Sequence, residues 1–163
     1  MRVLVTGGMG FLGRTLVRIL SSEGHTVVSY DRRTGNNNEN ERVSYVQGDL
    51  ADLPLLVETI RKNQIHTVIH TAAISHPYFS REIPYQTVMT NAVGTTHVFE
   101  ACRLSNVKRV VNFSSECAYG NNAEQEVVES GESGRQAGRS RVAFKILIKN
   151  DRRVRLFIKQ LMF

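Results

Sequence analysis

Glycines 7, 10 and 13 stand three residues apart in Thr6-Gly7-Gly8-Met9-Gly10-Phe11-Leu12-Gly13. A chain leaving a strand through such a run can bring bare backbone against an anion. Gly7 allows the tight turn, Gly10 lets the backbone approach a pyrophosphate, and Gly13 permits close packing of helix on strand. The helix that follows adds amide donors and a partial positive charge at its leading end, where Phe11 and Leu12 fall. A bare glycine triplet is a weak signal. This one follows the strand-like Val3-Leu4-Val5 and opens an amphipathic segment, the context that a dinucleotide site requires. A structural turn is the competing reading.

Asp31 ends a second extended run, at the distance where an acidic side chain reaches the hydroxyls of an adenosine ribose. A carboxylate there favours NAD, because it would face the 2′-phosphate of NADP. Arg32 and Arg33 beside it could supply positive charge, which keeps NADP as the alternative, and a solvated turn aspartate is the bland reading.

These groups need a frame, and the chain predicts one. Short β-rich runs at 3–5, 26–30, 43–46, 67–69 and 110–113 read as strands, the first continuous enough to be buried on both faces of a parallel sheet. Phe11, Leu12, Leu16, Ile19 and Leu20 recur at helical spacing up to Gly24. Asp52 is placed to cap a helix with Pro54 early and Leu55, Leu56, Val57 and Ile60 on its apolar side. A longer helix is expected over 85–104. Strands alternating with helices imply right-handed crossovers, hence an α/β, doubly wound parallel-sheet Rossmann fold.

Beyond Gly120 the pattern breaks. Residues 121–139 are rich in Glu, Gly, Ser and Arg and read as loop or disorder. Val142, Phe144, Ile146 and Ile148, then Val154, Leu156 and Ile158, alternate on either side of Asn150-Asp151, which predicts a C-terminal β-hairpin. The expected division is a dinucleotide-binding Rossmann domain over 1–120 and a linker with a basic tail over 121–163, making the fold a truncated one.

The length of 163 residues suits a single core, and no apolar run approaches the roughly 20 residues of a membrane span. The start lacks the basic and apolar regions of a signal peptide, and Cys102 and Cys117 form neither a CxxC pair nor a metal cluster, so a cytoplasmic protein without bound metal is expected. Net charge is +6, yet residues 1–130 hold 12 Lys+Arg against 13 Asp+Glu, and the tail from Gly131 holds 9 against 2. The basic character therefore belongs to the tail. Binding of an acidic partner there is one hypothesis, although its charges alternate with Val, Phe, Ile and Leu rather than with aromatics spaced for base stacking. His66, His70, His76 and His97 share no ligand or triad spacing and read as surface or satisfied core histidines.

Several motifs in order resemble the extended short-chain dehydrogenase/reductase family, the NAD-dependent epimerase/dehydratase group. Gly48-Asp49-Leu50 resembles the segment that meets the adenine; His70-Thr71-Ala72-Ala73 the strand-four end where small residues let the cofactor pass; and Asn91-Ala92-Val93-Gly94-Thr95 the Asn-containing start of the next helix region. Phe113-Ser114-Ser115-Glu116-Cys117-Ala118-Tyr119-Gly120 resembles the strand-five segment ending in Tyr-Gly, and the resemblance puts Ser115 on the family's catalytic Ser/Thr. It implies bound NAD, a nucleotide-sugar substrate oxidised transiently by hydride transfer, and compatibility with a homodimer. Asp49, Leu50, Ala72, Ala73 and Asn91 join the cofactor-binding set on this basis.

One departure stands against it. The family's Tyr-x-x-x-Lys pair supplies a phenolate that exchanges the substrate's hydroxyl proton, and no tyrosine follows Tyr119. The nearest shape, Arg141-Val142-Ala143-Phe144-Lys145, begins with an arginine that cannot accept a proton near neutral pH, leaving Lys145 as a relic at best. A fragment with an unrelated or frame-shifted C-terminus, a degenerate member that binds NAD without turnover, and a divergent enzyme using another base are the explanations, in that order.

Overall fold

The structure, a computed structural model, describes residues 1–35 and 40–113. Five parallel strands form one sheet in the order β3-β2-β1-β4-β5. They are β1 (Arg2–Thr6), β2 (Thr26–Asp31), β3 (Val43–Gln47), β4 (Thr67–His70) and β5 (Arg109–Asn112). The doubly wound parallel sheet expected from the alternation is thus present, with strand limits within one residue or so of those read from the sequence. Ser115, Lys145, the Tyr119-Gly120 motif and the expected hairpin lie outside the described residues.

The strands alternate their side chains between two cores. Val3, Val5, Val27 and Val43 pack with Val17 of helix α1 (Phe11–Ser22) on one face. Leu4, Val28, Tyr30 and Val68 pack on the other with Leu56 and Ile60 of α2 (Leu53–Lys62) and with Val98, Ala101 and Cys102 of α5 (Thr95–Leu104). Because both faces are covered, Val3, Leu4 and Val5 are all at most 1% exposed, which explains the unbroken apolar run.

Local chemistry sets the helix ends. α1 stops in a Schellman motif: Gly24, at φ +84°, donates its N–H to Ser21 O, and His25 N–H donates to Leu20 O. Asp52 caps α2 by accepting from Leu55 N–H at 2.9 Å, as its position predicted.

Two expectations change. Phe11 and Ile19 were read onto the apolar face of α1, yet they are 92% and 42% exposed; the buried positions are Gly13, Val17 and Ser21. Leu12, Leu16 and Leu20 are half-buried, Leu20 against the core, so the helical periodicity holds, but the buried face is centred one residue on, at Gly13, Val17 and Ser21. The helix expected over 85–104 is also not uniform. A short α3 (Pro77–Glu82) precedes it, and α4 (Pro84–Val88) runs through a π-helical segment, Met89–Gly94, into α5. α3 begins with Pro77 and is capped by His76, features too local for a periodicity reading to register.

Candidate functional site

The expected site residues that the structure describes gather at the carboxyl ends of the parallel strands, where ligands of open α/β sheets bind. Gly7 leaves β1 at φ +70°, a conformation that L side chains rarely adopt. Its N–H donates to Tyr30 O at 2.8 Å, and its carbonyl accepts from Gly10 N–H at 2.8 Å, which closes the turn. A Cβ on Gly7 would lie 2.7 Å from the backbone of Ala72, and one on Gly13 would lie 2.0 Å from Gly7 O. Gly13 therefore lets α1 pack on the turn itself rather than on a strand. Gly10 caps α1 without a side-chain hydrogen bond, so the first turn, with Phe11 exposed and Leu12 half-buried, presents backbone donors.

Asp31 faces this turn. Its Oδ2 accepts from Met9 N–H at 3.0 Å and its Oδ1 from Arg33 N–H at 3.0 Å. Of the two arginines, it is Arg33 that reaches back: its Nη2 donates to Met9 O at 2.7 Å and its Nε lies 3.6 Å from Asp31 Oδ1. Arg32 is exposed and contributes its carbonyl to Gln47 Nε2.

Next along the sheet edge come Asp49 and Leu50. Asp49 is exposed; its Oδ1 accepts from Ala51 N–H at 2.9 Å, and its carbonyl accepts from Tyr30 OH at 2.8 Å. Burial, with the carboxylates of Asp52 and Asp49 adding to it, pushes the Tyr30 phenol well above its usual range and keeps it a donor. Leu50 is buried against Gly94, and its carbonyl accepts from His97 Nδ1 at 2.9 Å. Tyr30 and His97 were not singled out in the sequence for these roles. A tyrosine in a strand and a histidine in a helix carry no spacing that gives them away.

On the other side of the turn, Ala72, Ala73 and Asn91 line a small hollow with His70, Thr71 and Thr95. Asn91 does not face it freely: its Oδ1 accepts from Ile74 N–H at 2.8 Å and its Nδ2 donates to Ile74 O at 2.9 Å. His70 is 4% exposed and hydrogen-bonded at both nitrogens, the satisfied core histidine that was expected. Among the described residues, no group of His, Cys, Asp and Glu is arranged to hold a metal ion, and no helix is long and apolar enough to cross a membrane.

The chain matches the NAD dependent epimerase/dehydratase family over residues 3–146. It belongs to that family. The match runs past Gly120, where the ordered motifs end. A UDP-glucose 4-epimerase of Mycolicibacterium smegmatis is 34% identical over 122 residues, 71% of this chain and 39% of that protein. A 3 beta-hydroxysteroid dehydrogenase/Delta 5-->4-isomerase of Mycobacterium tuberculosis is 34% identical over 118 residues, 70% of this chain and 31% of that protein. Among solved structures, a UDP-glucose-4-epimerase from Stenotrophomonas maltophila with bound NAD and formylated UDP-arabinopyranose aligns with a TM-score of 0.74 at 28% identity, over 84% of this chain and 44% of that one. The chain thus spans less than half the length of these epimerase/dehydratase relatives.

The residues present in this family member fit the dinucleotide that the family's description implies. Side chains are missing at Gly7, Gly8, Gly10 and Gly13, where a Cβ would lie 3.0 Å or less from an atom in or beneath the turn, and a carboxylate is fixed at the end of the neighbouring strand.

Proposed function

We propose that this chain is the NAD-binding part of an epimerase or dehydratase that acts on a nucleotide sugar. The observation that carries the reading is the pairing of the glycine turn with Asp31: bare backbone and helix-end amides for a pyrophosphate, and a carboxylate where ribose hydroxyls would sit. NAD, when bound, supplies reversible hydride transfer. The chain's own part is to hold the cofactor with Gly7, Gly10, Phe11, Leu12 and Gly13 at the phosphates and Asp31 at the ribose. Arg32 stands beside that end, Asp49 and Leu50 take the adenine side, and Ala72, Ala73 and Asn91 lie along the inner wall. Ser115 would polarise the reacting oxygen. Asp31 favours NAD over NADP. The proposal places the protein in the cytoplasm and admits a homodimer.

Titration calorimetry with NAD and NADP tests this directly. Saturable heat with NAD, weakened in Gly10→Val, supports it; silence with both cofactors on folded protein overturns it. Turnover is then assayed with a panel of UDP- and dTDP-sugars.

One observation favours a second reading, a cofactor-binding module without catalysis: the 163 residues contain no Tyr-x-x-x-Lys. Persistent NAD binding with no product from any sugar would select it.

A further inference from the structure

A buried line of hydrogen bonds crosses the site from one wall to the other, and its direction can be worked out atom by atom. Thr95 Oγ1 lies 2.6 Å from Asn91 O. A carbonyl only accepts, so the single hydroxyl proton of Thr95 points there. His70 Nε2, 2.9 Å from the same Thr95 oxygen, must then be the donor of that pair. With Nε2 protonated, Nδ1 of the neutral ring is an acceptor, and Thr6 Oγ1 donates to it at 2.6 Å. Burial pushes the His70 pKa down to about 4, which keeps the ring neutral across the ordinary range.

Each end of this line is tied to a wall of the groove. Thr6 immediately precedes Gly7, and its carbonyl accepts from both Thr71 N–H at 3.1 Å and Thr71 Oγ1 at 2.7 Å. Asn91, at the far end, clamps both backbone groups of Ile74. Between these points Ala72 sits against Gly7, with no room for a methyl group. Asn91 lies in the π-helical segment, a distortion that frequently accompanies functional sites.

We propose that His70 is a positioning residue: donating from Nε2 and accepting at Nδ1, it registers the 71–74 backbone against the glycine turn, so that the groove between them is formed before a cofactor arrives. The inference rests on the NAD-binding reading for its consequence, but its structural half is independent of any ligand. A residue with only a packing role would lower global stability. A positioning residue loosens Ile74 selectively and weakens cofactor binding in protein that is still folded.

The test uses the whole chain, with NAD as the probe. His70→Phe keeps an aromatic ring and removes both hydrogen bonds; Thr95→Val removes one of them, together with the Thr95 bond to Asn91 O, at nearly constant volume; His70→Gln keeps a donor and an acceptor. Hydrogen exchange at Ile74 N–H is expected to quicken about tenfold or more in His70→Phe and Thr95→Val while Val68 in β4 is unchanged, and NAD Kd should rise about tenfold. His70→Gln should recover part of both. If His70→Phe does not fold, Thr95→Val gives the same readouts. Unchanged Ile74 exchange in Thr95→Val, acceleration at Ile74 and Val68 alike, or unchanged NAD affinity despite faster Ile74 exchange would overturn the proposal. Absence of NAD binding in the unmodified chain would refute the functional reading instead, and Ile74 exchange would still decide the role of His70.

Discussion

The backbone N–H of Met9, in the turn between β1 and α1, donates to Asp31 Oδ2 at the end of β2 over 3.0 Å. The carboxylate therefore braces the glycine turn from the neighbouring strand. Asp31→Ala should lower unfolding stability by roughly 1–2 kcal/mol in urea titration, the worth of hydrogen bonds to a charged group at a mostly buried site. Stability equal to that of the parent would show that the brace contributes nothing.

Gly7 and Gly24 both have positive φ, +70° and +84°, but only Gly7 has a neighbour in the way. Gly24→Ala should cost about 1 kcal/mol, the strain of the left-handed conformation alone. Gly7→Ala adds a clash with the Ala72 backbone and should cost roughly 2 kcal/mol more, with NAD affinity falling as the turn shifts. Equal losses in the two variants, measured by denaturant unfolding, would contradict the close approach.

Acid should destabilise the protein through His70. Its folded pKa of about 4 lies below the ordinary 6.5 because burial penalises the charged ring, so the unfolded chain takes up the proton first. The His70 contribution is thus complete above pH 6.5 and is lost as pH falls towards 4, a change on the order of 3 kcal/mol. Measured stability against pH should be correspondingly flatter over that window in His70→Gln, whatever its stability at neutral pH.

Ser29 Oγ is buried beneath Gly8 with no hydrogen-bond partner among the described residues. Removing an unpaired buried hydroxyl relieves its desolvation, so Ser29→Ala should leave stability unchanged or raise it by about 1 kcal/mol. A fall of that size or more in calorimetric unfolding would mean that the hydroxyl has a partner in solution.

How far the site was legible depended on whether a role is local. Gly7, Gly10 and Asp52 act within a few residues of themselves, through a turn or a helix cap, and their types and spacing state the role outright. Asp31 was legible for its distance from the glycine run, but not for its bond to Met9, since two segments 22 residues apart meet only when β1 and β2 pair. Asn91 was legible from its motif, but its hold on both backbone groups of Ile74 was not, since the two residues are 17 apart in the chain.

The sequence by itself determined the strand and helix alternation, the parallel doubly wound sheet and the tight glycine turn, because hydrophobic period, capping residues and glycine placement are short-range properties. Only the tertiary structure decided which face of α1 is buried, where the long helix widens, that Arg33 rather than Arg32 turns to Asp31, and that His70 joins Thr6 to Thr95. Those outcomes are set by contacts between strands and helices far apart in the chain, and the hydrogen-bond direction of a buried side chain has no signature until its neighbours are in place.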